Sequence, residues 1–352
     1  MAIVVKRHLD SREQGSEGSP AEVGVLLLHL GGPESLEALE TYQLDLWSHP
    51  RIAPASGARR SSARGRAQQA FAAVSDELRA GYQRLGGRSP VNELIGHQAL
   101  ALQNRLCERP VMSAEAPGRY RVFPAFCFAE PGIERAVEQA REAGVRRLVA
   151  LPLYPLETGS TSGLCLEACQ QACDQAGLGP ISSAIRSFAE RPEFLEAAAV
   201  RLQRTLDLIP DEFRDRTTVL LSFASEPQEQ SPSAGLKRYL AEVEQVAQAV
   251  LAQAGLPESR GLVAFQNRGG PGQWLEPATS ELAALEIRGG LESLVVFPLG
   301  QVTDDFDTLH ELDARLLAEL HTLGIKKYRR VPVFNADPEF IELLARLVRE
   351  AS

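Results

Sequence analysis

The 352-residue sequence lacks any apolar run that approaches the roughly 20 residues needed to cross a bilayer. The N-terminus, MAIVVKRHLD, has a four-residue apolar patch, shorter than a signal-peptide core of about 7 residues or more. Positive charge is not in excess, because the formal net charge is −9, and this argues against a nucleic-acid partner. We therefore expect a cytoplasmic protein without a transmembrane segment, whose few cysteines, five in number, are reduced.

What is present is the composition of a folded protein. Hydrophobic residues make up 44% of the chain, too many for a disordered protein, and the length allows two domains. Residues 1–21 are polar and aperiodic, which predicts a disordered tail. Residues 51–66 are basic, small and polar, which predicts a mobile surface loop.

Strand and helix patterns alternate along the chain, and their order occurs twice. Buried strands are predicted for GVLLLHL, RYRVFPAFCF and VRRLVALPLYP, and again for TTVLLSFA, GLVAFQ and LVVFPL. Three pairs of residues are each 146 positions apart: Glu130 and Glu276, Gly144 and Gly290, Pro152 and Pro298. This pattern predicts two copies of one α/β unit, each with a four-stranded parallel sheet, and a cleft where the strands end. The loops expected to face the cleft are 29–35, 88–91, 126–131, 154–163, 222–227, 265–274 and 300–307.

The chemistry of the chain is concentrated in residues 294–313. The apolar run LVVFPL is broken by Gly300, and we expect Thr303 to cap a helix whose first turn holds Asp304, Asp305 and Asp307. Asp307 and Glu311 are four apart and should share one face of that helix, with His310 placed peripherally. An ordinary acidic helix start would show the same pattern.

Six segments resemble, in the same order, motifs of the ferrochelatase family. They are GVLLLHLGGPESLEALETYQLDLWSHPRI, GGRSP, LPLYPLETGSTSG, FQNRGGPGQWLEP, VTDDFDTLHELD and PVFNADPEFI. The resemblance covers roughly residues 22–345. It implies two similar Rossmann-like, chelatase-type domains around a porphyrin cleft, at 22–185 and 186–329. Residues 330–352 are then a strand and a helix that pack back across both domains, and the disordered tail precedes residue 22.

The resemblance also implies a reaction, the insertion of Fe(II) into protoporphyrin IX or coproporphyrin III to make haem. Iron is then a substrate, and no further cofactor is required. Some family members carry an iron–sulfur cluster near the C-terminus; no cysteine follows Cys173 here, so we expect none. The expected partner is a porphyrin or haem, with peripheral membrane contact left open.

Several functional positions of the family are substituted in this chain. In the family a histidine lies just before the Glu-Pro of the N-terminal half and faces a glutamate of the last motif; here these positions are Phe128 and Asp307. A second histidine is replaced by Asp305, and Arg315 stands where an acid is usual. The family's Ser-Ala-His-Gly-x-Pro loop reads SFASEP and loses a further histidine.

Candidate site residues follow from these motifs. Asp307 is the candidate proton acceptor and iron ligand, and Glu311 is a second candidate metal ligand. His29 is either a displaced base or a histidine that hydrogen-bonds a backbone carbonyl at a strand end. Expected contacts to the porphyrin are Leu30, Pro33, Ser89, Pro90, Phe128, Thr161, Ser162, Phe223 and Trp274. Phe128, Phe223, Phe265 and Trp274 could equally belong to the domain core.

The three closely spaced cysteines have two interpretations. Cys165, Cys169 and Cys173 share one helix face, but the outer two lie about 12 Å apart, too far for one metal ion. A pair could bind zinc or haem weakly, although small packing residues fit the pattern better.

Two functions remain open on the sequence. The first is a ferrochelatase-type lyase in which Asp307 replaces the glutamate and His29 or water replaces the histidine. The second is a porphyrin- or haem-binding paralogue without turnover that acts as a carrier or regulator. A chelatase for cobalt or nickel is weaker, because such sites use paired histidines that are missing here.

Overall fold

The computed structural model describes residues 23–53, 62–108, 119–179, 181–228, 233–266 and 273–352. The tail predicted for residues 1–21 and positions 54–61 of the predicted surface loop lie outside these ranges. The last residues of that loop are helical instead, because the Ser62 hydroxyl accepts a hydrogen bond from the Gly65 N–H at 3.1 Å and caps a helix there.

The first sheet is built from four parallel strands. They are β1 (Val23–His29), β2 (Tyr120–Phe126), β3 (Arg147–Pro152) and β4 (Ser183–Ala184). Their order is β2-β1-β3-β4, so the chain crosses over after each strand. All seven residues of β1 are buried, as the continuous apolar run predicts for a strand covered on both faces.

The second sheet repeats this arrangement. Its strands are β5 (Thr218–Ala224), β6 (Gly261–Gln266), β7 (Ser293–Phe297) and β8 (Lys327–Arg330), in the order β6-β5-β7-β8. The repeat extends to single hydrogen bonds: the Phe126 N–H donates to Pro131 O at 3.0 Å, and the Phe265 N–H donates to Pro277 O at 2.9 Å. The predicted α/β fold of two similar four-stranded parallel units is confirmed.

Helices cover the faces of both sheets. They are α1 (Leu39–Ser48), α2 (Ala63–Arg84), α3 (Val91–Cys107), α4 (Ile133–Glu142), α5 (Ser162–Gln175), α6 (Pro192–Asp207), α7 (Asp211–Arg214), α8 (Ala234–Gln253), α9 (Thr279–Arg288), α10 (Leu317–Thr322) and α11 (Pro338–Ala351), with a 3₁₀ turn at Glu258–Arg260. Residues Asp307–Leu316 form a π-helix that runs directly into α10. A π-helix of this length is unusual, since most are single-turn bulges at functional sites.

The two units share one continuous apolar core. A single buried cluster includes Leu27 and Leu151 of the first sheet, Leu221 and Val295 of the second, and Leu344 of the last helix. α11 packs on α3 and α6, so the end of the chain returns across the molecule. The strand expected from residue 330 onward lies earlier in the chain: it is β8, which ends at Arg330, and residues 331–334 have no regular secondary structure.

Where β7 ends, the chain passes very close to the end of β5. The Gly300 N–H donates to Ser222 O at 3.0 Å, and a Cβ at this position would lie 2.8 Å from the Ala224 nitrogen. Glycine is therefore required here, and it brings the acidic segment that follows up against the carboxyl end of β5.

Candidate functional site

A cavity of about 550 Å³ lies at the carboxyl ends of the strands of both sheets. Its size falls within the roughly 300–1,000 Å³ of small-molecule sites. The first unit contributes His29, Leu30 and Tyr154 to its walls, and the second contributes Ala224, Phe265 and Trp274. The predicted cleft is therefore present and is bounded by both units.

Seven of the predicted site residues line this cavity and five do not. The lining residues are His29, Leu30, Ser89, Thr161, Trp274, Asp307 and Glu311. Pro33, Pro90, Phe128, Ser162 and Phe223 are outside the lining. Phe223 is 1% exposed in the shared core, because the side chains of a strand alternate and its neighbour Ala224 takes the cavity side.

The other misplaced residues support the cavity from behind. Pro33 O accepts the Ser89 N–H at 2.8 Å, and Pro90 is the N-terminal cap residue of α3. The Ser162 hydroxyl accepts the Thr158 N–H at 2.9 Å and is fully buried. Each of the three fixes the loop that carries a lining residue and does not reach the cavity itself.

Phe128 and Asp307 do not face each other in the cavity, contrary to the expectation drawn from the motifs. The Phe128 N–H donates to Leu30 O at 2.9 Å, and this bond turns the chain so that the ring lies edge-on to His49, with centroids 6.0 Å apart. The ring packs with the apolar residues beneath α1 and α2. Phe128 therefore contributes to packing behind the cavity wall.

His29 is held as a neutral ring. Its Nδ1 accepts the Gly31 N–H at 3.0 Å, and the ring stacks on Tyr154 with centroids 4.8 Å apart. Burial lowers the pKa of His29 to about 3. Because Nδ1 is an acceptor, Nε2 carries the proton, and neither nitrogen offers a free lone pair to a substrate. His29 is thus hydrogen-bonded to the backbone at the end of β1, but to the Gly31 N–H and not to a carbonyl group as the second interpretation stated.

Asp305 and Asp307 form a pair of carboxyl groups in the cavity wall. The Asp305 carboxylate accepts the Thr308 N–H and the Gln301 side-chain N–H, both at 3.0 Å. Burial raises the pKa of Asp305 to about 7, with a contribution from Asp304. Burial raises the pKa of Asp307 well above its usual range, and the neighbouring Asp305 and Glu311 add to this. Within the described residues, no hydrogen-bond donor reaches the Asp307 carboxylate, so it is available to a ligand.

The helix start differs from the predicted one for a local reason. The Thr303 hydroxyl does not cap the helix; it donates to the Gln98 side-chain oxygen at 2.9 Å. Asp305 instead closes the turn through the Thr308 N–H, and the helix begins at Asp307. The prediction that Asp307 and Glu311 share a face is confirmed, since both line the cavity.

Glu311 is engaged by Arg315, which also lines the cavity. The Arg315 guanidinium donates to the Glu311 carboxylate in a short ion pair and lies 3.9 Å from Glu77 on α2. Burial raises the pKa of Glu311, and Arg315 opposes the rise. A cation that approaches along this helix therefore meets a carboxylate whose charge is already compensated. His310 is 3% exposed, packs on Phe306 and does not line the cavity, which agrees with a place peripheral to the site.

A buried polar network fixes the acidic segment from the other side. Gln98 of α3 is fully buried; its amide N–H donates to Asn335 O at 2.8 Å, while its oxygen accepts from Thr303. Asn335 exchanges two hydrogen bonds with Asp304, at 2.8 and 2.9 Å. Asp304 also pairs with the Arg330 guanidinium at 3.1 Å. Asp304 is therefore a structural acid and not a ligand in the cavity.

Two tyrosines of the cavity were not predicted. Tyr42 of α1 donates its hydroxyl to Gly31 O at 2.9 Å, and Tyr82 of α2 stacks on Phe306 with centroids 4.3 Å apart. Burial, with contributions from Asp305 and Asp307, raises the pKa of both hydroxyl groups. Both stay neutral at physiological pH and place weak proton donors beside the acidic pair. Tyr82 lies outside the six segments that resemble the family, and Tyr42 lies within the first of them but was not singled out as a site residue.

The three cysteines of α5 are packing residues, as the preferred interpretation stated. Cys165, Cys169 and Cys173 are each 0% exposed. In the part of the chain that the structure describes, no group of three or more histidine, cysteine or acidic side chains is arranged to hold a metal ion.

Comparison with known proteins assigns the chain to a family. A model of the ferrochelatase family matches residues 22–352. The chain belongs to the ferrochelatase family. Ferrochelatase from Geotalea uraniireducens is 31% identical over 337 residues, covering 94% of this chain and 98% of that protein. Ferrochelatase from Geotalea daltonii is 32% identical over 334 residues, covering 93% and 97%.

A solved chelatase also superposes on the chain, at a level that adds nothing to the assignment. SirB from Bacillus subtilis with Fe³⁺ is 15% identical with a TM-score of 0.49, covering 94% of this chain and 95% of that one. Ferrochelatase membership together with the fold supports metal insertion into a porphyrin-type ring and a place in haem biosynthesis. Among the described residues of this ferrochelatase-family chain, no helix is long and apolar enough to span a membrane.

Proposed function

We propose that this protein inserts Fe(II) into a porphyrin, protoporphyrin IX or coproporphyrin III, bound in the cavity between the two units. The observation that supports the proposal is the pair Asp305 and Asp307, two carboxyl groups on the cavity wall: burial raises the pKa of Asp305 to about 7 and also raises the pKa of Asp307. A proton acceptor works best when its pKa lies close to the working pH. An acidic pair therefore stands in the cavity where the family motif has a histidine and a glutamate.

The reaction requires two pyrrole protons to leave the ring as the metal enters. Asp307 is the acceptor, because its carboxylate faces the cavity free of other donors among the described residues. The charge of Asp305 raises the pKa of Asp307, so the two carboxyl groups titrate as one coupled system. The apolar walls, which include Leu30, Phe265 and Trp274, hold the flat ring and exclude water.

The substitutions predict a slower reaction than an acceptor of full length would give. Aspartate is one methylene shorter than glutamate, and a displacement of about 1 Å can cost on the order of 100-fold in rate. Asp307 also serves as the oxygen ligand for Fe(II), a role that Glu311 is poorly placed to share while it is paired with Arg315. We propose that no cofactor and no iron–sulfur cluster take part.

A second function is favoured by two specific observations. His29 has no free lone pair, and Arg315 compensates the charge of Glu311, so proton and metal handling both rest on the aspartate pair. A porphyrin- or haem-binding protein without turnover would need only the cavity and its apolar walls. The two functions differ in turnover and not in binding.

One experiment separates them. Purified protein is titrated with protoporphyrin IX and with coproporphyrin III by fluorescence, and each mixture then receives Fe(II) without oxygen. The chelatase proposal expects binding followed by haem formation, and Asp307→Asn should lower the rate by roughly 100-fold or more while binding stays. Tight binding without haem formation would instead establish the carrier. Absence of binding to either porphyrin would refute both.

A further inference from the structure

The thiol groups of Cys127 and Cys165, which come from two different parts of the first unit, lie almost in contact behind the cavity wall. Cys127 follows β2, and Cys165 is in the first turns of α5, yet their Sγ atoms are 3.3 Å apart. Both occur as free thiols. The sequence shows nothing of this pair, because the two cysteines are 38 residues apart and only Cys165 belongs to the helical cysteine row.

We propose that Cys127 and Cys165 form a reversible disulfide when the protein meets a peroxide. A peroxide oxidises the Cys127 thiol to a sulfenic acid, and with hydrogen peroxide one water is released. The Cys165 sulfur then attacks the Cys127 sulfur, and the new S–S bond displaces the hydroxyl, which combines with the Cys165 thiol proton and leaves as a second water. Two thiols and one hydrogen peroxide thus give one disulfide and two waters, and an added dithiol returns both cysteines to thiols.

The order of the two steps follows from exposure. Cys127 is partly exposed, whereas Cys165 is 0% exposed and burial raises the pKa of its thiol. A small oxidant therefore reaches Cys127 first, and Cys165 is the partner already in place. Cys169 and Cys173 lie one and two turns further along α5, so neither competes for Cys127.

Closure requires only a small movement of a loop. The sulfur atoms must approach by about 1.2 Å to reach the length of an S–S bond. Cys165 is fixed within a helix, while Cys127 lies in the turn after β2, so the turn is the part that moves. Its main tie is the hydrogen bond from the Cys127 N–H to His29 O at 3.0 Å.

The pair is connected to the cavity wall by direct contacts. Cys127 bonds to the backbone of His29, and Leu30 packs against the apolar cluster that contains Cys165. The Leu30 N–H in turn donates to the Tyr154 hydroxyl at 3.2 Å. A cross-link at this point therefore acts on the turn that positions three lining residues.

The test uses the full chain treated with a small excess of hydrogen peroxide. The expected result is a loss of about 2 Da in the intact mass. A tryptic digest should then contain residues 122–135 linked to residues 148–186, and fragmentation should place the link between Cys127 and Cys165. Added dithiothreitol should restore the starting mass.

Matched variants locate the bond. Cys127→Ser and Cys165→Ser should each abolish the cross-link, whereas Cys169→Ser and the exposed-site control Cys107→Ser should keep it. Should a serine variant not fold, fragmentation of the wild-type link decides the same question. A link to Cys169 or Cys173, or further oxidation of Cys127 with no link at all, would overturn the proposal. None of these measurements depends on porphyrin or iron, so the inference stands or falls separately from the proposed function.

Discussion

The pKa of Asp305 depends on the surroundings that the fold gives it. In the sequence it is one of three aspartates at a helix start, where ordinary solvated acids are common. In the structure its carboxylate faces the cavity, is fixed by Thr308 and Gln301, and has a pKa of about 7. The segment and its acidic residues were identified from the sequence. Which aspartate is structural and which are functional depends on Asn335 and Arg330, which come from elsewhere in the chain.

The raised pKa of Asp305 has a consequence for stability. The folded state holds this proton up to about pH 7, while the unfolded chain releases it near its usual value of 3.8, so stability falls as the pH rises between these two values. Asp305→Asn removes this loss in the free energy of unfolding, which is about 4 kcal/mol at most. The variant should therefore be more stable than the wild type at pH 8 but not at pH 4. Urea unfolding at both pH values measures it. Asp211→Asn, at a residue with a side chain 90% exposed, should show no such difference, and an equal gain at both pH values would contradict the burial of a charge.

The two candidate proton acceptors should respond differently to substitution. His29→Gln should lower the rate of metallation by less than about tenfold, because its lone pair is already taken by the Gly31 N–H. Asp307→Asn should lower it by at least about 100-fold. Initial rates with Fe(II) and saturating porphyrin compare the two variants directly. If His29→Gln were the more damaging change, His29 would be the base after all.

At the scale of elements, α3 is tied to the acidic segment by one buried side chain. Gln98 joins Thr303, ahead of the π-helix, to Asn335, ahead of α11. Neither contact is visible in the sequence, because the partners are 205 and 237 residues away. The segment after β7 therefore owes its position to a helix of the other unit.

Gln98→Leu should loosen this connection. The substitution leaves the Thr303 hydroxyl and the Asn335 carbonyl without their partner, at a cost of about 1–3 kcal/mol in the free energy of unfolding. The exposed Leu100 of the same helix provides the control, since Leu100→Gln should be close to neutral. Chemical unfolding of both variants measures this free energy. Equal stability of Gln98→Leu and the wild type would show that the Gln98 hydrogen bonds do not stabilise the fold.

The positions of strands and helices were predicted more reliably than the type of helix that each segment forms. Apolar runs identified the main strands, and the positive-φ residue Gly144 ends the region of α4 as expected. The π-helix was not predicted, since a spacing of four between Asp307 and Glu311 fits an α-helix equally well. Phe306, just before the π-helix, packs on His310 and lines the cavity together with Asp307 and Glu311.

At the scale of the whole molecule, duplication explains where the site is. The constant offset of 146 residues predicted two similar units, and both sheets have the same strand order. Two parallel sheets that share a core leave a cavity between their carboxyl ends. The sequence could not show that α1 and α2 add Tyr42 and Tyr82 to this cavity, because these helices have no counterpart in the repeated pattern.

The central claim is that the aspartate pair removes the pyrrole protons, and the pH dependence of metallation tests it most directly. Initial rates of Fe(II) insertion are measured without oxygen from about pH 5 to about pH 9 for the wild type, Asp305→Asn and Asp307→Asn. The wild-type rate should rise with pH through an apparent pKa near 7 that belongs to the pair, and Asp305→Asn should shift that midpoint. Asp307→Asn should be nearly inactive throughout. An Asp307→Asn protein that forms haem at the wild-type rate, with an unchanged pH profile, would contradict the account.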